Sequence, residues 1–199
     1  MIAVVDYGAG NLFSVQKALE YIGAQPLVTH DPATLKRSDK VILPGVGSFG
    51  QAMRALQECH LVEVLCGAIA AGKPFLGICL GMQMLFASSD ESPSVPGLAV
   101  LPGRVRRFGH DLKVPHLGWN QVEQSTESVL WRQVPDGSYF YFAHSYFVEA
   151  LDYSLVNGRT DYNGYFPSAV QQGNVFGIQF HPEKSQQRGL QLLANFVAL

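Results

Sequence analysis

The stretch Pro74-Phe75-Leu76-Gly77-Ile78-Cys79-Leu80-Gly81-Met82-Gln83-Met84-Leu85-Phe86 decides the fold. Residues 75–78 form a short apolar run of the kind that makes a buried strand, and residues 80–86 read as a helix. A cysteine stands between them, with a glycine two positions away on either side. That is the pattern of a nucleophile held on a sharp strand-to-helix turn. The glycines relieve crowding where the backbone turns and permit close approach of a substrate. A thiolate attacks better than a thiol, so Cys79 needs help to ionise. The positive end of the helix it opens and a nearby imidazole are the sources expected. On this stretch alone a buried structural cysteine is the competing reading.

Outward from Cys79, the N-terminal half alternates. Residues 2–6, 27–29 and 40–43 read as strands, and 12–22, 49–58 and 61–71 as helices. Such alternation implies a mainly parallel sheet, and short, nearly continuous apolar strands fit burial on both faces. The C-terminal half changes character. Residues 98–108, 115–122, 139–148, 153–157, 169–172 and 174–180 look extended, rich in aromatic and β-branched residues and punctuated by Gly, Pro, Asn and Asp. Ser185 is expected to cap a last helix over 186–197. The loop 88–97 follows the Cys79 helix and is a candidate rim of a site. The fold expected is α/β and three-layered: a mainly parallel central sheet, helices on both faces, and an antiparallel or mixed extension. Residues 1–199 are read as one domain.

Composition narrows the function. Hydrophobic residues make up 47% and charged residues 15%, enough for a sizeable core and against wholesale disorder. Net charge is −2 with no basic run, which argues against nucleic acid as a partner. The long apolar region 61–87 is broken by Glu63, Gly72, Lys73 and Pro74, so no membrane span is expected. The chain opens in a strand without a basic leader, and a cytoplasmic location is expected. Three cysteines match no zinc spacing; Cys59 and Cys66 read as packing residues, and no metal site is expected.

A second signal lies far along the chain, at Gln179-Phe180-His181-Pro182-Glu183. Residues two apart in extended backbone face the same side, so Glu183 can reach the His181 imidazole and fix its tautomer. Pro182 stiffens the pair. A thiol, an imidazole and a carboxylate are the parts of a cysteine acyl-transfer triad. Acyl transfer also needs donors for an oxyanion. The N–H of Leu80, just after the nucleophile, is one candidate. A second comes from Pro44-Gly45-Val46-Gly47, which leaves a strand at the same sheet edge; a plain βα turn is the alternative there. The run Asp6-Tyr7-Gly8-Ala9-Gly10-Asn11 lacks the third glycine of a dinucleotide fingerprint, since position 13 is Phe, and reads as a tight turn.

Cys79 between glycines, together with His181-Pro182-Glu183, resembles the class I (triad-type) glutamine amidotransferases over essentially the whole chain. The runs Asp6 to Asn11, Pro44-Gly45-Val46-Gly47, Pro115-His116-Leu117-Gly118-Trp119-Asn120 and Gln179 to Ser185 are similar to those of the glutaminase subunits of imidazole glycerol phosphate synthases. The resemblance implies Cys79 as nucleophile, His181 as general base and then acid, and Glu183 as its orienting carboxylate. It implies an oxyanion hole from the N–H groups of Leu80 and of Val46 and Gly47. Gln83, Glu91, Ser145 and Tyr146 would hold L-glutamine, with Glu91 at the α-amino group and Ser145 and Tyr146 at the α-carboxylate end. No cofactor is implied.

One domain of this size leaves nothing over to bind a phosphorylated acceptor, and ammonia released into water becomes mostly ammonium. A sealed handover to a second protein is therefore expected. The resemblance names a cyclase subunit with a (β/α)8 barrel, in a heterodimer with Asn11, Pro115, His116, Trp119, Asn120, Tyr141 and Lys184 at or near the interface. A Val46 peptide between glycines is free to flip, so the isolated chain is expected to be a weak glutaminase until the partner binds its ligand. The competing readings are a glutaminase serving another synthase, such as a pyridoxal phosphate system, and a non-catalytic binding module on the same fold.

Overall fold

Alternate side chains along the buried N-terminal strands point to opposite faces of the sheet, and each set packs against a different pair of helices. The computed structural model describes residues 1–109 and 112–199. In chain order it contains β1 (Ile2–Val5), α1 (Leu12–Tyr21), β2 (Pro26–Thr29), α2 (Pro32–Arg37), β3 (Lys40–Gly45), α3 (Phe49–Glu58), α4 (Val62–Ala70), β4 (Phe75–Cys79) and α5 (Leu80–Gln83). There follow β5 (Gly103–Arg107), β6 (His116–Gln124), β7 (Ser138–His144), β8 (Tyr146–Ala150), β9 (Val156–Asp161), β10 (Tyr165–Gln172), β11 (Val175–Ile178) and α6 (Gln186–Val197). Ala3, Val5, Val41 and Leu43 join Met53, Leu56 and Leu65 of α3 and α4 in one core layer. Ile2, Val4, Ile42 and Leu76 join Val15 and Leu19 of α1 and Leu192 and Phe196 of α6 in the other. Both faces of this sheet are covered, which is the condition for a parallel sheet of continuous apolar strands.

The large sheet has strand order β2-β1-β3-β4-β11-β10-β9-β6-β7, and β5 pairs with β8 in a small second sheet. Pairing is parallel from β2 through β11 and antiparallel from β11 to β7. Aromatic side chains fill the core beneath the antiparallel part. Phe140 and Phe180 stack with ring centroids 4.1 Å apart, and Trp131 and Phe142 pack against them.

Several elements differ from the sequence reading. Helix α2 occupies a stretch that reading leaves unassigned. Asp31 accepts from the N–H groups of Ala33 and Thr34, with Pro32 opening the helix, a start signal of the usual kind. The expected helix over 80–86 ends at Gln83, because the Leu85 and Phe86 N–H groups bond three residues back, not four. The extended segment 139–148 is two strands, β7 and β8, divided at Ser145, and each pairs in a different sheet. Of 98–108, only Gly103–Arg107 is strand. Residues 153–155 form a 3-10 turn, with Asp152 accepting from the Ser154 N–H, and the strand begins only at Val156. Ser185 does not cap α6 with its side chain. Its Oγ donates to the His181 carbonyl and accepts from the Tyr141 N–H, which ties the segment before α6 to β7.

Candidate active site

Three neighbouring parallel strands deliver the chemistry. In register, Gly45 pairs with Cys79 across β3 and β4, and Ile178 pairs with Ile78 across β11 and β4. The Pro44–Gly47 run, Cys79 and the Gln179-to-Glu183 segment therefore leave the sheet side by side, at the carboxyl ends of the strands where such sheets bind ligands. Cys79 itself has φ 55° and ψ −110°. A non-glycine residue in that region costs about 1–3 kcal/mol and persists only where its surroundings impose it.

The flanking glycines do the imposing. A Cβ on Gly77 would sit 2.6 Å from the Gly81 carbonyl oxygen, and one on Gly81 would overlap the Leu43 carbonyl oxygen outright. These positions face neighbouring backbone, so their smallness serves strand–turn packing and not approach of a substrate. Gly45 is equally confined, with a Cβ there 2.7 Å from the Tyr7 hydroxyl. That hydroxyl donates to the Pro44 carbonyl at 3.1 Å and so anchors the loop that carries Val46. Burial and the nearby Cys79 charge push the Tyr7 pKa up, keeping it a donor. The dipole of a long helix is not part of the nucleophile's environment, since α5 is a single turn.

His181 is buried, and its Nδ1 lies 2.9 Å from Glu183 Oε1, a pair whose side chains are 4% and 1% exposed. Burial pushes the His181 pKa down. Interaction with the Cys79 sulfur, the hydrogen bond to Glu183 and the charges of both outweigh burial and raise it to about 10. The site therefore favours the imidazolium form of His181. Glu183 reaches the ring by a different route from the extended one expected. His181 is extended (φ −99°, ψ 98°), but Pro182–Lys184 then form a 3-10 turn that folds the carboxylate back.

A cavity of about 180 Å³ opens at the sulfur. Cys79, Leu80, Val46 and Gly47 line it together with Gln83, Glu91, Ser145 and Tyr146. The nucleophile, the expected oxyanion donors and the expected glutamine contacts thus meet in one space. Glu91 is held by the Phe49 N–H at 2.6 Å, which places the 88–97 loop on the start of α3. Gln83 is buried, and its Nε2 donates to the Tyr146 carbonyl (2.9 Å) and to Gln179 Oε1 (3.0 Å), which leaves its own carbonyl oxygen for a ligand.

Two residues of this site carry no role in the sequence reading. Gln179 Nε2 approaches the Cys79 sulfur at 3.6 Å, and His144 lines the cavity and bonds the Tyr146 carbonyl through Nδ1 at 2.8 Å. Gln179 stands two residues before His181 and His144 directly before Ser145, so adjacency to known site residues was the available signal.

The expected interface residues divide. Trp119 is 47% exposed, its ring 6.1 Å from that of Tyr141, and Lys184 Nζ stands 5.6 Å over the Tyr141 ring. These three form one surface patch beside the triad, for the Tyr141 carbonyl accepts the His181 N–H. Pro115 is exposed and also lines the cavity, while Asn11 sits at the start of α1. Asn120 is half-buried, with its amide bonded to the Asp161 carbonyl. His116 corrects the reading: its side chain is buried, stacked between Tyr162 and Phe142, and is not presented to a partner. It alternates with exposed Leu117 on β6 and points to the core. The Asp6-to-Asn11 run is a tight turn, with Asp6 accepting from the Gly8 N–H. Among the described residues no cluster of His, Cys, Asp and Glu is arranged to hold a metal, and no helix is long and apolar enough to cross a membrane.

Residues 3–199 match the model of the "Glutamine amidotransferase class-I" family. The chain is 50% identical over 196 residues to the "Imidazole glycerol phosphate synthase subunit HisH" of Bacillus cereus (strain G9842), covering 98% of this chain and 93% of that protein. It is 49% identical over 195 residues to the protein of the same name from Moorella thermoacetica, with the same coverage. Among solved structures, a "glutamine amidotransferase" superposes with a TM-score of 0.79 at 20% identity, covering 100% of this chain and 98% of the other. The "Structure of PurLQS from Thermotoga maritima" superposes with a TM-score of 0.80 at 21% identity, covering 99% and 97%. The two structures share the fold.

Proposed function

The chain belongs to the class-I glutamine amidotransferase family, and from that premise we propose that it is the glutaminase subunit of an imidazole glycerol phosphate synthase, active in histidine biosynthesis in the cytoplasm. The observation that carries the reading is Cys79 at a left-handed φ, close enough for its sulfur to raise the pKa of a His181 that Glu183 holds from behind.

The Cys79 thiolate attacks the side-chain carboxamide carbon of glutamine. The N–H of Leu80 and those of Val46 and Gly47 receive the charge that develops on oxygen. The His181 imidazolium gives its proton to the leaving ammonia, so a thioester forms as the C–N bond breaks. Neutral His181 then takes a proton from water, which hydrolyses the thioester to glutamate and restores the thiolate–imidazolium pair. Glu183 fixes the ring so that its other nitrogen faces sulfur throughout. The free oxygen of Glu91 suits the α-amino group, and Ser145 and Tyr146 lie where the α-carboxylate end would rest. None of these steps calls for a metal or organic cofactor.

Ammonia passes to a cyclase subunit with a (β/α)8 barrel, which makes imidazole glycerol phosphate and AICAR ribonucleotide. Trp119, Tyr141 and Lys184, with Pro115, Asn120 and Asn11, form the docking surface. Trp119 is its anchor, as exposed tryptophans often are at interfaces. The test combines the chain with a cyclase subunit and the acceptor nucleotide. Cys79→Ala lowers glutamine-dependent product formation by at least about 10⁴-fold and leaves the ammonia-dependent reaction intact. Retention of glutamine-dependent synthesis by Cys79→Ala overturns the proposal. Glutaminase rates with and without partner and acceptor test the flip of the Val46 peptide; equal rates in all states exclude it.

A further inference from the structure

His116 and His144 face each other across β6 and β7 with His116 Nδ1 2.9 Å from His144 Nε2, and the mechanism above uses neither ring. Their protonation follows from the acceptor at one end. The Tyr146 carbonyl has no proton to give, so His144 Nδ1, 2.8 Å away, carries one. Burial lowers the His144 pKa to about 3 and the His116 pKa to about 4, so both rings are neutral at pH 7. Neutral His144 then has a bare Nε2, which accepts from His116 Nδ1–H. Neutral His116 has a bare Nε2 in turn, which accepts from Asn120 Nδ2 at 3.3 Å. The other Asn120 amide proton goes to the Asp161 carbonyl at 2.9 Å, and its Oδ1 accepts the Gln121 N–H at 2.8 Å. Every polar atom in the row is matched, in one direction only.

The row continues into the site. The Tyr146 carbonyl that receives His144 also receives Gln83 Nε2; Gln83 Nε2 donates to Gln179 Oε1, and Gln179 Nε2 lies 3.6 Å from the Cys79 sulfur. Ring stacking holds His116 in plane, with centroids 4.0 Å from Tyr162 and 4.8 Å from Phe142 at interplanar angles of 25° and 23°. Tyr146 follows the break at Ser145, where the backbone leaves the large sheet for the small one, and stands opposite Arg107 at the end of the β5–β8 ladder.

We propose that His116 and His144, both protonated on Nδ1, are positioning residues that aim the Tyr146 carbonyl, and through it Gln83 and Gln179, at the glutamine bound on Cys79. The pair links the half-exposed Asn120 on the partner-facing strand β6 to the ligand pocket. This rests on the glutaminase reading, and it assigns glutamine affinity to two rings that do not touch the substrate's reacting atoms.

The test uses the full chain with its cyclase partner. Long-range proton–nitrogen correlation spectra of the imidazoles report which nitrogen carries the proton without any need for turnover. Both rings are expected to show a protonated Nδ1 and a bare Nε2 at pH 7; a protonated Nε2 in either ring overturns the proposal. In kinetics, His144→Leu raises KM for glutamine roughly tenfold or more, the size of a lost hydrogen bond that leaves a buried partner unsatisfied, while kcat falls less than about threefold. His144→Asn places an amide N–H where Nδ1–H stands and restores KM to within about threefold of wild type. His116→Leu and His116→Asn behave as the same pair of loss and rescue. Unchanged KM in both leucine variants, with wild type turning glutamine over, rejects the relay and leaves the glutaminase reading standing. Absence of turnover in wild type rejects that reading, and the spectra still decide the tautomers.

Discussion

The two halves of the large sheet are built on different principles. From β2 to β11 the strands are parallel, and inside the edge strand β2 they are buried on both faces by helices; the carboxyl ends of β3, β4 and β11 lead to the Val46 loop, Cys79 and His181. From β10 to β7 they are antiparallel, with an aromatic core beneath and an exposed outer surface at Leu117, Trp119 and Tyr139. Parallel strands all end on the same edge, so loops from neighbouring strands converge there, and chemistry needing three side chains gathers at that edge. Antiparallel strands alternate their ends and instead offer a broad face. On the proposed function, the first half would serve bond-breaking and the second the recognition of ligand and partner. His144, Ser145 and Tyr146 mark where the second reaches over to close the first.

This division predicts unequal responses to substitution. The largest effect belongs to Gly81→Ala. Its methyl would overlap the Leu43 carbonyl, a backbone atom unable to step aside, so stability falls by more than about 4 kcal/mol and soluble folded protein is lost in denaturant titration. Glu183→Gln comes next. The fold persists, but the His181 imidazolium loses its paired charge, and kcat drops by about 10²–10⁴-fold with KM little changed. An unaltered kcat there removes the triad from the parallel half.

Phe140→Ala probes the other half. That ring is fully buried against Phe180 and Trp131, and its loss costs about 3–5 kcal/mol in urea unfolding while kcat of the remaining folded enzyme stays within about threefold. A collapse of kcat would show that the halves are not separable.

Proton linkage should separate them further. His116 and His144 are held neutral by burial, with pKa values pushed down to about 4 and about 3. The unfolded chain binds protons there first, so their contribution is intact above about pH 6.5 and is lost as pH falls below it, at up to about 1.4 kcal/mol per pH unit per ring. His181 has the opposite sign. Its pKa is raised to about 10, so its contribution is full below about pH 6.5 and is lost as pH rises through 10. Urea unfolding against pH in wild type and in His116→Asn should show the acid limb softened in the variant and the alkaline limb unchanged. The smallest effect is at the surface. Glu149→Ala removes exposed ion pairs to Arg104 and Arg106 on the small sheet and leaves Tm unchanged within error.

The legibility of the chain follows the same division. In the parallel half, apolar runs bounded by Gly and Pro named nearly every strand, because burial on both faces leaves an unbroken signal. The helix over Pro32–Arg37 escaped notice although Asp31, Pro32 and the closing Lys36 and Arg37 are ordinary start and stop signals; six residues are too few to show a period. In the antiparallel half the reading assigned only 169–172 as extended, whereas β10 runs Tyr165–Gln172 and contains Pro167. A proline there argues against a central strand, and a bulge at Ser168 accommodates it. The break at Ser145 had no signal either, since both sides of it are equally extended and aromatic.

By itself the sequence determined the types of residue and the order of the chemistry: a glycine-flanked thiol, a distant imidazole and a carboxylate beside it. Each depends on local backbone or on neighbours close in the chain, and local conformation is written in composition and spacing. Only the tertiary structure decided which atoms meet. It turned His116 inward, gave Ser185 to Tyr141 and His181, made the glycines of the turn contacts between backbones, and set Gln179 between Gln83 and the sulfur. Most of those pairings join residues many positions apart, and no local preference specifies them; they follow from how strands register and which polar atoms must be satisfied once water has been excluded.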